Sequence, residues 1–151
     1  MNPLIFRRSE NSFEFYRFDP HTPLQKIPMY LHTVQAGFPS PAEDYIEVAI
    51  DLNKFLVDRP SSTFYVRVKG LSMINAGIMD NALLVIDRSE KPKDGKIVLA
   101  VVNGEFTVKT IQKINGETYL MPANEAFKPI KVEPEMQFIV WGVVKYIINE
   151  A

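Results

Sequence analysis

The chain has 151 residues, 46% of them hydrophobic, which suits one domain with a filled core and an arm. A formal charge of -1 argues against broad phosphate-driven nucleic-acid binding, which needs a basic surface. The absence of Cys excludes disulfides, thiol nucleophiles and Cys-ligated zinc, and the longest apolar runs (97–102 and 138–144) fall far short of a membrane span, so the sequence reads as a cytoplasmic protein.

Seven of the eleven prolines lie in residues 1–60. Proline fixes its own φ and biases the residue before it to extended conformations. The first forty residues also lack sustained helical or alternating periodicity, so residues 1–40 read as an extended N-terminal arm, made adhesive by Phe13, Phe15, Tyr16 and Phe18. Arg7-Arg8 opens no export signal, because Glu10, Asn11 and Ser12 follow in place of an apolar stretch. Asp51 is placed to cap a short helix over 52–58, which Pro60 would stop.

From Thr63 the pattern becomes one of short strands. Phe64, Val66 and Val68 alternate with more polar neighbours, and strand-like runs follow at 82–87, 96–102, 105–114, 117–121 and 138–148. Asn103-Gly104 and Asn115-Gly116 are two-residue hairpin signals, since both positions accept positive φ, and Asp94-Gly95 marks another turn. These signs predict a mainly β domain of mostly antiparallel strands over 41–151, with no long helix and no internal repeat.

Most chemistries find no foothold. His21 and His32 both lie in the arm, and two isolated His without Cys give no zinc spacing; no Gly-rich loop opens a helix, so no metal and no cofactor is expected. What remains is Ser72, just after Gly70-Leu71 where a strand breaks, and Lys109 within the run 105–114. Burial lowers a lysine pKa, and a neutral amine can accept a serine proton. A serine in a turn and a lysine on a strand occur in most domains, however, so type and spacing alone favour ordinary structural residues over a catalytic dyad.

The runs FYVRVKGLSMINAGIMDNALLVID, DGKIVLAVVNGEFTVKTIQ and VWGVVKYI, in that order after AGFPSPAEDYIE, resemble the LexA/UmuD family of self-cleaving Ser-Lys peptidases over residues 30–148. Within that family the likeness is greatest to the UmuD-like members, accessory subunits of error-prone DNA polymerases. Carried over by position, the resemblance implies a LexA/UmuD-type β domain, Ser72 as nucleophile, Lys109 as general base, and the Ala36–Gly37 bond in VQAGFPSP as the substrate. It further implies a homodimer, stimulation by a RecA–single-stranded DNA filament in the SOS response, and association of the processed form with the catalytic subunit of a Y-family translesion polymerase. Sequence-specific DNA binding is not expected.

Two positions depart from the family pattern. Leu71 stands where many members carry an acidic or polar residue, and Asn81 replaces a glycine common in the following turn. Neither side chain is needed to attack a carbonyl or take a proton. Two other readings remain beside self-cleavage: a binding module that keeps the fold without catalysis, and a transcriptional regulator cleaved to relieve repression. The regulator needs a helix-turn-helix, which the proline-spaced first forty residues do not supply.

Overall fold

The computed structural model describes the backbone of residues 14–17, 21, 27–30 and 47–151, with side chains at 21 and from 49 onward. By chain contacts it divides into two units, residues 21–58 and the remainder.

The larger unit is one antiparallel sheet. Its strands are β1 (Glu14–Arg17), β4 (Thr63–Arg67), β5 (Leu83–Asp87), β6 (Ile97–Val102), β7 (Glu105–Ile114), β8 (Glu117–Met121), β9 (Ile130–Lys131) and β10 (Phe138–Ile148). The eight pair in the order β1-β4-β5-β10-β6-β7-β8-β9. The predicted mainly β, antiparallel class is what the structure has, and six of these strands match the sequence pattern to within a residue.

The smaller unit holds an antiparallel pair, β2 (Ile27–Tyr30) and β3 (Glu47–Ile50), followed by one short helix, α1 (Leu52–Leu56). Asp51 caps α1 as its position predicts: its carboxylate accepts the Asn53 N–H at 2.9 Å. The helix ends at Leu56, two residues before the expected limit and four before Pro60. Nothing in the sequence pattern indicated β1, β2, β3 or β9. Two of them, β1 and β2, lie inside the stretch read as an arm; the rest of that stretch, except for residue 21, lies outside the described residues.

The hairpins follow from their turn residues. Asn103 and Gly104 adopt φ of 49° and 83°, the paired positive values that a type I′ turn requires, and the turn joins β6 to β7 in register. Asn115-Gly116 joins β7 to β8 in the same way.

Alternation along the strands sends apolar side chains into two clusters. One gathers Val66, Leu84, Ile86, Leu99 and Val108 with Met73 and Ile78 from the loop after β4. The other gathers Val98, Ala100, Ile111, Leu120 and Val143. β10 binds the sheet together, pairing with β6 through its first half and with β5 through its second, with register shifts at Val140/Gly142 and Val144/Tyr146. At the first shift the backbone of Gly142 packs against β5 so closely that a Cβ there would lie 2.5 Å from Ile86 Cγ2 and 3.0 Å from the Asp87 carbonyl oxygen. Part of that obstruction is backbone, which side-chain rotation cannot relieve. Gly142→Ala should therefore lower stability by about 1–3 kcal/mol in urea denaturation, through overpacking and not through backbone entropy.

Candidate active site

Ser72 lies on the segment that leaves β4 and returns to β5. The chain turns at Gly70, where φ is 103° and the N–H donates to Asp80 Oδ1 at 2.7 Å. Met73 follows Ser72 and drives its side chain into the first core cluster, with only 2% of it exposed, anchoring the turn from below. A single 3-10 turn (Ile74–Ala76) comes next, and the Met73 carbonyl accepts the N–H groups of Ala76 and Ile78. The Asn149 amide group then clasps the loop, donating to the Gly77 carbonyl at 2.8 Å and accepting the Met79 N–H at 3.1 Å.

Lys109 lies in the middle of β7, opposite Val98 of β6. It is 8% exposed, and its ammonium end meets three acceptors: Ser72 Oγ at 3.0 Å, Thr107 Oγ1 at 2.8 Å and the Val108 carbonyl at 3.0 Å. The structure thus brings together the two residues singled out from the sequence, 37 positions apart. Burial of the amine holds its pKa below the ordinary lysine value, because desolvation disfavours the charged form.

The partners suit a neutral amine as well as an ammonium. A neutral –NH2 has two N–H donors and one lone pair. The Val108 carbonyl accepts only, and the Thr107 hydroxyl is free to accept, so those two partners take the N–H groups. The lone pair is left facing Ser72, whose hydroxyl then donates to it.

Thr107 is a member of this group that the sequence reading missed. The period of two along a strand carries the signal, since residues 107 and 109 of β7 share a face. Asn81, which replaces the glycine common in the family, adopts φ of 69°. Asn is among the few residues that tolerate this left-handed region, so the turn before β5 keeps a glycine-like conformation. Leu71 projects to the surface, 48% exposed. Ala36, Gly37 and His32 lie outside the described residues. Among the described residues no group of three or more His, Asp or Glu is arranged to hold a metal, and no helix is long and apolar enough to cross a membrane.

With this geometry in view, comparison with known proteins is direct. Residues 28–145 match the peptidase S24-like family. The chain belongs to that family. Relatives include protein ImpA of Escherichia coli, 41% identical over 128 residues that cover 81% of this chain and 83% of ImpA. Protein SamA of Salmonella typhimurium is 42% identical over 123 residues, covering 82% of this chain and 85% of SamA. The LexA repressor of Pectobacterium carotovorum is 36% identical over 119 residues, 78% of this chain but 58% of the repressor. The expected LexA/UmuD kinship therefore holds, with UmuD-like relatives matched along most of their length.

The lowered lysine pKa has a consequence for stability in this S24-like domain. Below its folded pKa, Lys109 carries the full cost of a buried charge. As pH rises from there toward about 10.4, the unfolded chain binds the extra proton, so the native state gains. Relative to Lys109→Met, the parent's unfolding free energy should rise across that interval and stay flat below it, as measured by urea denaturation at a series of pH values.

Proposed function

We propose that the protein is a self-cleaving serine peptidase that cuts its own Ala36–Gly37 bond, with Ser72 as nucleophile and Lys109 as general base. One observation carries the reading: in an S24-like chain, a desolvated lysine amine lies 3.0 Å from a serine hydroxyl at a glycine turn.

The step proceeds as follows. Ser72 Oγ bonds to the Ala36 carbonyl carbon while its proton passes to Lys109 Nζ, and the carbonyl electron pair moves onto oxygen. Backbone N–H groups beside Ser72 receive that negative charge. As the tetrahedral centre collapses, Lys109 returns the proton to the Gly37 nitrogen and the C–N bond breaks. Water, deprotonated in turn by Lys109, then releases residues 1–36 from the serine ester. Ala36, with a single methyl side chain, suits a shallow pocket, and a glycine at position 37 suits a chain that must bend over the serine.

In this reading residues 1–40 are an arm that carries the cleavage site, and 41–151 are the peptidase body. The bond lies about 35 residues before Ser72, with β3, α1 and β4 between them, and attack within one chain and attack between two both belong to this reading. Cleavage is held back because the arm seldom occupies the site until a RecA–single-stranded DNA filament favours that pose, a population shift. The processed protein, a cytoplasmic homodimer, then serves as accessory subunit of a Y-family translesion polymerase in the SOS response. The UmuD-like relatives matched over most of their length support this role over that of a repressor.

Incubation of the purified protein at mildly alkaline pH, with and without the filament, should yield a new N-terminus at Gly37 by mass spectrometry. Ser72→Ala should give none, and Lys109→Ala should cut at least ~10²-fold more slowly. A variant that cuts at the parent's rate refutes the dyad; a parent that stays intact under both conditions points to a binding module. In the same assay Thr107→Val should slow cleavage about tenfold, the cost of one hydrogen bond of roughly 1.4 kcal/mol, while Thr107→Ser retains most of the rate.

A further inference from the structure

The nucleophile turn is held from a second direction, by the loop between β8 and β9. Ala123 donates its N–H to the Ser72 carbonyl at 2.8 Å, and the Ala123 carbonyl accepts the Asn75 N–H at 2.9 Å. Asn124, half-buried, donates from Nδ2 to the Leu71 carbonyl at 2.9 Å, and its Oδ1 accepts the Ala126 N–H at 3.0 Å. The side chain thus does two separable jobs: Oδ1 shapes its own loop, and Nδ2 reaches 53 positions back to the residue before the serine.

The second job fixes more than a carbonyl. The Leu71–Ser72 peptide is trans and planar, so its C=O and N–H point in opposite directions. The Leu71 oxygen is gripped by Asn124 Nδ2 and, at 3.2 Å, by the Ile74 N–H. With that oxygen held, the Ser72 N–H is turned the other way. Among the described residues it donates to no other group. A free amide on the nucleophile itself is where an oxyanion donor belongs, and such a donor helps only when fixed before charge develops.

We propose that Asn124 is the positioning residue of the oxyanion site: by clamping the Leu71 carbonyl, it aims the Ser72 N–H at the oxygen of the carbonyl under attack. The proposal rests on the self-cleavage reading above. It separates Asn124 from Lys109, which governs the nucleophile's proton, and from Thr107, which governs Lys109. Asn124 acts on the electrophile's side of the reaction and should leave the nucleophile's own reactivity alone.

That division supplies the test. Asn124→Asp keeps the Oδ1 acceptor for Ala126 but loses the donor to Leu71. Self-cleavage of the full chain is timed by mass spectrometry for the parent, Asn124→Asp and Asn124→Ala. In parallel, Ser72→Cys and the double variant Ser72→Cys/Asn124→Asp are alkylated with iodoacetamide across pH. Alkylation occurs at a saturated carbon and forms no oxyanion, so it reports only the nucleophile and its base. The expected result is a ~10²–10³-fold slower cleavage, the usual cost of one oxyanion donor, with alkylation rates and pH profiles that superimpose. Where Asn124→Asp melts early, Asn124→Ala takes its place in the double variant. Cleavage within about threefold of the parent, less than the loss of even one ordinary hydrogen bond, overturns the proposal. Equal losses in both reactions also overturn it, because Asn124 would then only hold the turn together. A parent that fails to cleave, while the Ser72→Cys variant alkylates with a lysine-shifted pH profile, instead refutes the self-cleavage reading, and this proposal falls with it.

Discussion

A lysine amine can be taken out of water only if its protons are received and its charge is allowed to lapse. Lys109 satisfies both conditions: a carbonyl and two hydroxyls surround Nζ, and burial lowers its pKa. Much of the surrounding architecture follows from this. β7 must be central enough to bury position 109, which requires β6 and β8 on its flanks. The segment after β4 must also turn back sharply enough to bring a serine hydroxyl to the amine, which Gly70, Met73 and the clasp from Asn149 together achieve.

The site is therefore assembled by long-range contacts on a frame fixed by local ones. Two hairpin turns set the register of β6, β7 and β8, so position 109 is determined once Asn103-Gly104 and Asn115-Gly116 adopt their turns. Position 72, in contrast, is determined largely by groups distant in sequence: Ala123, Asn124 and Asn149 each hydrogen-bond to the segment 70–79, and Asp80 closes its first turn. The β7 side of the site is rigid by construction, and the serine side is rigid by bracing.

This difference explains what the sequence disclosed. Type I′ turns, the Asp51 cap and the alternating runs depend on neighbours within a few residues, and they could be read directly. β9 has two residues and β3 four, too short for a period to emerge, and β1 sits among prolines and gains its pairing from β4, some fifty residues on. Ser72 and Lys109 were distinguished from any other serine and lysine by family resemblance, not by spacing. Thr107 was within reach of the period-two rule. Asn124 was not, since nothing near it in sequence indicates that its amide reaches Leu71.

The order of strands has one further effect. In the sheet, β4 and β5 are joined to β6 and β7 through β10 alone. Ser72 leaves the first pair and Lys109 rides on the second, yet β10 is the last of all these strands to be synthesised. A chain that has made both residues still lacks the strand that joins their two halves of the sheet. The sheet becomes continuous only with residues 138–148 between β5 and β6, so the last strand made is the one that closes it.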